Sequence, residues 1–146
     1  MLTATVLLLS GACASNGDQG RATITFSGTG CAYARPVDIP AGEVTIRAVN
    51  NTSFQFDIDL WLLDEGHTYQ ELATHMEEQV NFEGEEPGLG HPTFATVVAH
   101  TTAFPEGSDE LTIPMLRAGT YGFACIRIES GMPAEIMATG PLMISD

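Results

Sequence analysis

Short segments in which apolar and polar residues alternate limit the possible folds of this 146-residue chain more than any other feature. The clearest segment is FQFDIDLWLLD, residues 54–64, in which every second position from 54 to 62 is apolar: Phe54, Phe56, Ile58, Leu60 and Leu62. A period of two is that of a β-strand with one buried face. Turn residues, mainly Gly and Pro, separate this segment from others like it. The pattern predicts an all-β sandwich of seven to eight strands.

Strands are also predicted in RATITF (residues 21–26), in IPAGEVTIRAVNN (residues 39–51), and at 93–101, 109–115, 120–128 and 141–145. Alternation assigns three inward side chains to each of three of these strands: Ala22, Ile24 and Phe26; Val44, Ile46 and Ala48; Leu111, Ile113 and Met115. These positions, with those of the segment 54–64, form the predicted core.

One segment has the period of a helix instead of a strand. Thr68 and Glu71 have the spacing of a capping box, in which the hydroxyl and the carboxylate each bond a free backbone N–H of the first turn. Leu72, Met76 and Val80 then follow at intervals of four, which makes one apolar stripe. The sequence therefore predicts a single helix over residues 69–80.

Trp61 and Leu63 fall on the strand face opposite the predicted core. Two explanations are open for this second apolar face. The helix packs over the two side chains, or they form an exposed patch that binds a partner. We favour packing by the helix, because its apolar stripe also needs a surface to cover.

The charge of the chain excludes one class of function. It has 19 acidic residues against five Arg and no Lys, for a net charge of −14. Such a surface repels phosphate backbones and anionic lipid headgroups, so nucleic-acid binding is excluded. Contact with a membrane is expected through an N-terminal lipid only.

The N-terminus has the pattern of an export signal. An apolar run at residues 2–9 is followed by small residues around Cys13, and this resembles a bacterial lipoprotein leader in which Cys13 is lipidated. Secretory cleavage after Ala14 is the alternative. We predict a leader at 1–13, a polar tether at 14–21 and one domain at 22–146. Lipidation would anchor that domain to the membrane at the bacterial cell surface or in the periplasm.

Export determines how the cysteines are interpreted. Once Cys13 is lipidated or removed, Cys31 and Cys125 remain as two thiols in an oxidising compartment. Thiols in such a compartment form disulfides by default. We therefore predict a disulfide between Cys31 and Cys125.

Three stretches together resemble the cupredoxin-like fold: IPAGEVTIRAVNN (39–51), LRAGTYGFAC (116–125) and GPLMIS (140–145). The chain is most similar to bacterial lipoproteins of that superfamily that have no assigned function. The resemblance covers about residues 22–145, apart from an insertion at about 64–92 that carries the helix and an acidic loop. It implies a Greek-key β-sandwich.

The same resemblance implies where a type 1 copper ion would be bound, by two His, a Cys thiolate and an axial Met. The first His position falls within Gln55, Phe56 and Asp57, and the second within residues 127–129, Arg-Ile-Glu. Cys125 and Met132 match the remaining two ligands, but Cys125 is expected in a disulfide. We therefore expect no type 1 copper site and no cofactor.

A non-standard copper site is the alternative to this expectation. His67, His91 and His100, together with Met132, could converge in space and bind copper, and the sequence alone does not test this. No catalytic motif is recognised, so the protein is not predicted to be an enzyme. The prediction is a non-catalytic binding or accessory module for an unidentified ligand or protein partner. The alternative is a copper-binding or electron-transfer protein that uses His and Met ligands.

Overall fold

The structure, a computed structural model, describes residues 21–28, 30–34, 39–80 and 90–146. The predicted leader with Cys13, the tether up to residue 20 and the acidic loop at 81–89 lie outside these ranges, as does the side chain of Val80.

The described residues form nine strands and one helix. In chain order they are β1 (Arg21–Ser27), β2 (Gly30–Ala34), β3 (Ile39–Pro40), β4 (Gly42–Asn50), β5 (Gln55–Leu63), α1 (Tyr69–Val80), β6 (Ala95–Ala103), β7 (Gly107–Leu116), β8 (Gly119–Glu129) and β9 (Met132–Ser145). Eight strands have five residues or more, as predicted. The ninth, β3, has only two residues and is too short to produce a period in the sequence.

The strands form two sheets, with the orders β2-β1-β4-β7 and β3-β9-β8-β5-β6. Neighbours are antiparallel except for the pairs β1–β4 and β3–β9, which are parallel. The chain passes between the sheets after β2, β3, β4, β6 and β7, so strands that are neighbours in a sheet are often distant in sequence. This arrangement confirms the predicted all-β sandwich with one inserted helix.

The main core lies between the two sheets. The inward residues predicted for β1 and β4 are all at most 2% exposed: Ala22, Ile24, Phe26, Val44, Ile46 and Ala48. They face buried residues of β5 and β8 in the second sheet, and the rings of Phe26 and Phe56 stack with their centroids 4.3 Å apart. Alternation therefore predicted this part of the core correctly.

A second, smaller core lies on the outer face of the second sheet, under α1. It consists of Trp61, Leu63, Leu72, Met76 and Ala124. The helix approaches the sheet closely at Gly122, where an added Cβ would lie 2.5 Å from Cδ2 of Leu72. The predicted packing of the helix over Trp61 and Leu63 is confirmed, and the alternative of an exposed patch is wrong.

Two residues predicted in the core are exposed. β5 begins at Gln55, so Phe54 belongs to the preceding loop and is 39% exposed. In β7, an irregularity opposite β4 pairs Val44 with Ile113 and Gly42 with Leu116. This shift puts Leu116 in the core and leaves Met115 82% exposed. Simple alternation fails at both places because a loop or an irregular pairing changes the phase of the strand.

The last strand is longer than predicted. β9 runs over Met132–Ser145 instead of 141–145, and its pairing with β8 extends from Glu129↔Met132 to Gly119↔Ile144. Its first half contains polar residues and a Pro, and therefore has no clear apolar period. The hydrogen bonds to β8 hold this half in the sheet.

The helix begins as its capping box predicts. The Thr68 backbone N–H donates to Glu71 Oε2 over 2.7 Å, and the Glu71 backbone N–H donates to Thr68 Oγ1 over 3.3 Å. The backbone hydrogen bond from Thr68, followed by those from its hydroxyl and from His67, lowers the pKa of the Glu71 carboxyl below its ordinary value of 4.5. A lowered pKa in the folded state gives stability that is present above the unfolded pKa and lost as the pH falls through the folded pKa.

We expect Thr68→Ala to lower the free energy of unfolding by about 1 kcal/mol at neutral pH, the usual effect of losing a helix N-cap. Thr74→Ala, an exposed change inside the same helix, is the control and should have little effect. Urea unfolding at neutral pH and below the ordinary glutamate pKa would measure both. The deficit of Thr68→Ala should shrink in acid, where wild type loses the contribution of the Glu71 carboxylate. A deficit that does not depend on pH would contradict this account.

Candidate functional site

The loop between β4 and β5 lies at the end of the sandwich where the resemblance would place a metal. It is fixed by the buried side chain of Asn50, which is 1% exposed. Asn50 Nδ2 donates to the carbonyl oxygens of Phe54 and Ala103 over 2.8 and 3.1 Å. Asn50 Oδ1 accepts hydrogen bonds from the backbone N–H and the hydroxyl of Thr52. These hydrogen bonds fix the loop that carries the Phe54 side chain.

Cys31 of β2 and Cys125 of β8 form the predicted disulfide, which joins the two sheets. Their Cα atoms are 6.4 Å apart, and Cys125 is fully buried. A disulfide sulfur is not a thiolate, so Cys125 in this state cannot supply the strong ligand of a type 1 copper ion. Disulfides of this kind are typical of oxidising compartments outside the cytoplasm.

The positions expected for the two His ligands hold side chains with other partners. Gln55 donates weakly to Asp57 over 3.4 Å, and Asp57 accepts a hydrogen bond from the Thr102 hydroxyl over 2.9 Å. Phe56 is buried in the main core. Arg127, at the second expected His position, has no lone pair for a metal. The residues at the two expected His positions therefore do not fit a type 1 copper ion.

Arg127 lies two residues after Cys125 and forms a cluster that we call the arginine clamp: Phe54, Arg127, Glu129 and Glu135. The guanidinium carbon is 4.8 Å from the centroid of the Phe54 ring, and Nη1 donates to Glu129 Oε1 over 2.6 Å. Nε is 3.2 Å from Glu135 Oε2, an ion pair that is not aligned as a hydrogen bond. The clamp therefore places a guanidinium, which has no lone pair for a metal, near the position where a His ligand is expected.

Each of the three His residues proposed for a non-standard copper site contacts a different residue, and Met132 is exposed. His67 stacks on Phe94 with ring centroids 4.9 Å apart, and His91 contacts the Trp61 ring at 5.0 Å. His100 Nδ1 lies 2.7 Å from Asp59 Oδ1, and Met132 is 68% exposed beside the β8–β9 turn. Within the described ranges, no group of three or more His, Cys, Asp or Glu side chains is placed to hold a metal ion.

A groove of about 190 Å³ lies between α1 and the outer face of the second sheet. We call it the indole groove and define it by Asp59, Trp61, Met76, His91, Ile126 and Ile136. Trp61 is only 3% exposed, and its buried Nε1 has no hydrogen-bond partner within the part of the chain that the structure describes. An unsatisfied buried donor costs about 1–3 kcal/mol, so such groups are rare and point to a missing acceptor.

A larger cavity, of about 500 Å³, lies at the end of the sandwich where β5 ends and β8 begins. Its wall includes the charged residues Asp64, Glu65 and Arg117. The Tyr121 hydroxyl donates to the Arg117 carbonyl over 2.7 Å and fixes this wall. Burial raises the pKa of the Tyr121 phenol, which therefore remains a donor at neutral pH.

Two features of these sites were missed by the sequence reasoning. One is the pairing of Arg127 with two carboxylates, which the Ser130–Gly131 turn brings about by setting Arg127 opposite Glu135 in the β8–β9 hairpin. The Ser-Gly turn in the sequence could have predicted this hairpin and its register. The other is the unpartnered Trp61 Nε1, for which no signal exists, because only the packing of α1 determines whether the indole N–H meets an acceptor.

No protein-family model matches the sequence, and no curated protein matches it. Three solved structures are similar to this chain. They are auracyanin from Roseiflexus castenholzii (22% identity, 87% of this chain, 98% of that chain, TM-score 0.48), auracyanin A, a "blue" copper protein from Chloroflexus aurantiacus (20%, 86%, 98%, 0.49), and auracyanin B (15%, 86%, 88%, 0.47).

These likenesses are distant, since every identity is below 25% and every TM-score is below 0.5. We therefore draw no functional conclusion from them, and the copper of the auracyanins is not assigned to this chain. Among the described residues, no helix has the length and apolar character needed to cross a membrane.

Proposed function

We propose that this protein is an exported, lipid-anchored, non-catalytic binding module, and that it does not carry electrons through a type 1 copper ion. The observation that carries the proposal is the disulfide between Cys31 and Cys125. It takes up the one residue that matches the thiolate ligand of a type 1 site. The arginine clamp supports the same conclusion, because the Arg127 guanidinium lies where a His ligand is expected and has no lone pair to offer a metal.

A binding role agrees with the polar clusters of the described strands. A catalytic site needs an acid, a base or a nucleophile that faces a concave pocket. Arg127 is paired with Glu129 and Glu135, and His100 is paired with Asp59 at a position where the His side chain is 55% exposed. These pairs tie neighbouring segments together, which supports a scaffold that binds instead of one that reacts.

The proposed location rests on two further observations. The disulfide is of the kind that persists outside the cytoplasm. The net charge of −14 makes direct adhesion to anionic lipids unfavourable, so a lipid on Cys13 is the anchor that we propose.

Intact-mass spectrometry with and without reductant, and with added Cu(II) or Cu(I), tests the proposal. We expect the oxidised protein to weigh two hydrogen atoms less than the reduced form, to bind no stoichiometric copper and to gain no visible Cu(II)–thiolate absorption. Cys31→Ser, which frees the Cys125 thiol, is the control that shows whether the disulfide is what excludes copper.

A stoichiometric copper adduct on the oxidised protein would contradict the proposal. It would favour the alternative of copper binding by His67, His91, His100 and Met132. Alanine substitutions of these four residues, one at a time, would then identify the ligands by loss of the adduct.

A further inference from the structure

The indole groove combines a buried hydrogen-bond donor with apolar walls. We infer that it binds a small uncharged molecule, made of an apolar ring or short chain that carries one hydrogen-bond-accepting oxygen. This inference deepens the proposed binding function and rests on it.

The donor is the Trp61 indole N–H. It is buried and has no hydrogen-bond partner among the described residues, whereas nearly all buried polar groups in proteins are paired. His91 contacts the indole with the two ring planes at 82°, and His91 is itself exposed. We expect a change in the rotamer of His91 to give a ligand access to the indole without moving a strand. An acceptor oxygen on the ligand would satisfy the N–H.

The walls of the groove select the size and the apolar character of the ligand. Met76 is 5% exposed, and Ile126 and Ile136 are half-buried beside it. Methionine adapts its shape to different apolar molecules. A volume of about 190 Å³ accommodates a single ring and excludes a folded peptide segment.

Asp59 and Gly90, two polar positions at the rim, already have partners of their own. The Asp59 carboxylate is paired with His100 Nδ1 at 2.7 Å. The Gly90 carbonyl accepts hydrogen bonds from His75 Nε2 at 2.9 Å and from the Gln79 amide. The protein is also strongly acidic, which disfavours anionic ligands. The selecting interaction is therefore that of the indole N–H with a neutral acceptor.

The larger cavity beside Arg117 is a weaker candidate. Its Asp64, Glu65 and Arg117 are exposed to water, and no buried group without a partner has been found on the described part of its wall. Solvated charges of this kind do not define a ligand.

The chain has a single Trp, so a ¹⁵N-labelled sample gives one indole N–H resonance that reports on the groove directly. We would titrate the protein with cyclohexanone, with methylenecyclohexane, which has the same shape without an acceptor, and with cyclohexanecarboxylate. We expect cyclohexanone to shift the indole resonance saturably and to bind about 2- to 10-fold more tightly than methylenecyclohexane, as one added hydrogen bond predicts. The carboxylate should not bind.

Two variants locate the binding. Ile136→Phe fills the groove and should weaken cyclohexanone binding by about tenfold or more, whereas Val98→Phe, on β6 outside the groove, should leave it unchanged. The dispersion of the amide spectrum checks that each variant is folded.

The inference is overturned if no probe shifts the indole resonance, if ketone and alkene bind equally, or if Ile136→Phe binds as wild type does. Each of these results leaves the proposed function intact when copper is also not bound. A copper adduct on the oxidised protein would instead overturn the proposed function itself.

Discussion

Reduction of the Cys31–Cys125 disulfide is expected to lower the free energy of unfolding by about 4–5 kcal/mol, the loop-entropy value for a closed loop of this size. The bond joins residues that are 94 positions apart and ties the first sheet to the second. Without it, the unfolded chain gains freedom while the folded chain retains its core. Urea unfolding with and without reductant, followed by Trp61 fluorescence and by circular dichroism, measures the difference.

The double variant Cys31→Ala/Cys125→Ala provides the control, because reductant should leave its stability unchanged. If reductant destabilises this variant as much as wild type, the effect does not come from the disulfide. A loss below about 1 kcal/mol in wild type would show that the unfolded chain is already constrained in other ways.

Asn50→Ala is expected to lower the free energy of unfolding by about 3 kcal/mol or more. The change removes every partner that the Asn50 side chain supplies to Phe54, Thr52 and Ala103, and each buried group left unsatisfied costs about 1–3 kcal/mol. The arginine clamp should loosen as well, because the loop that carries the Phe54 ring is no longer fixed.

The neighbouring residue offers a matched control. Asn51 is exposed, and Asn51→Ala should change the free energy of unfolding by at most about 0.5 kcal/mol. Urea unfolding of the two variants side by side makes the comparison. Equal effects would mean that the burial and bonding of Asn50 do not stabilise the loop.

Local signals in the sequence were sufficient for most of the fold. The helix was predicted at its observed bounds because Thr68 and Glu71 mark its start through their own hydrogen bonds. The cores on both faces of β5 followed from alternation. Phe54 and Met115 were misplaced because their orientation depends on a loop fixed by Asn50 and on an irregular pairing of β7 with β4. Both the Asn50 hydrogen bonds and the strand pairing involve residues outside the alternating segment, so the alternation of that segment could not predict them.

The sites could be predicted only in part. The disulfide followed from a count of cysteines and a compartment. The carboxylate partners of Arg127 depend on the register of the β8–β9 hairpin, and the indole groove depends on the angle at which α1 meets the sheet. Contacts between distant segments determine the partners of Arg127 and the shape of the groove. A pattern within one segment cannot predict such contacts.

The burial of β5 on both of its faces has a consequence for the solubility of the protein. Leu60, Trp61, Leu62 and Leu63 are consecutive, apolar and suited to strands, which is the composition of segments that pair with other chains. Strands β6 and β8 occupy both edges of β5, and one face lies in the main core. Among the described residues, the other face is covered by α1 and by the segment at 90–94, in which His91 contacts Trp61. The helix therefore protects the protein against self-association. Detachment of the helix would expose this apolar sheet face while the sandwich was still folded.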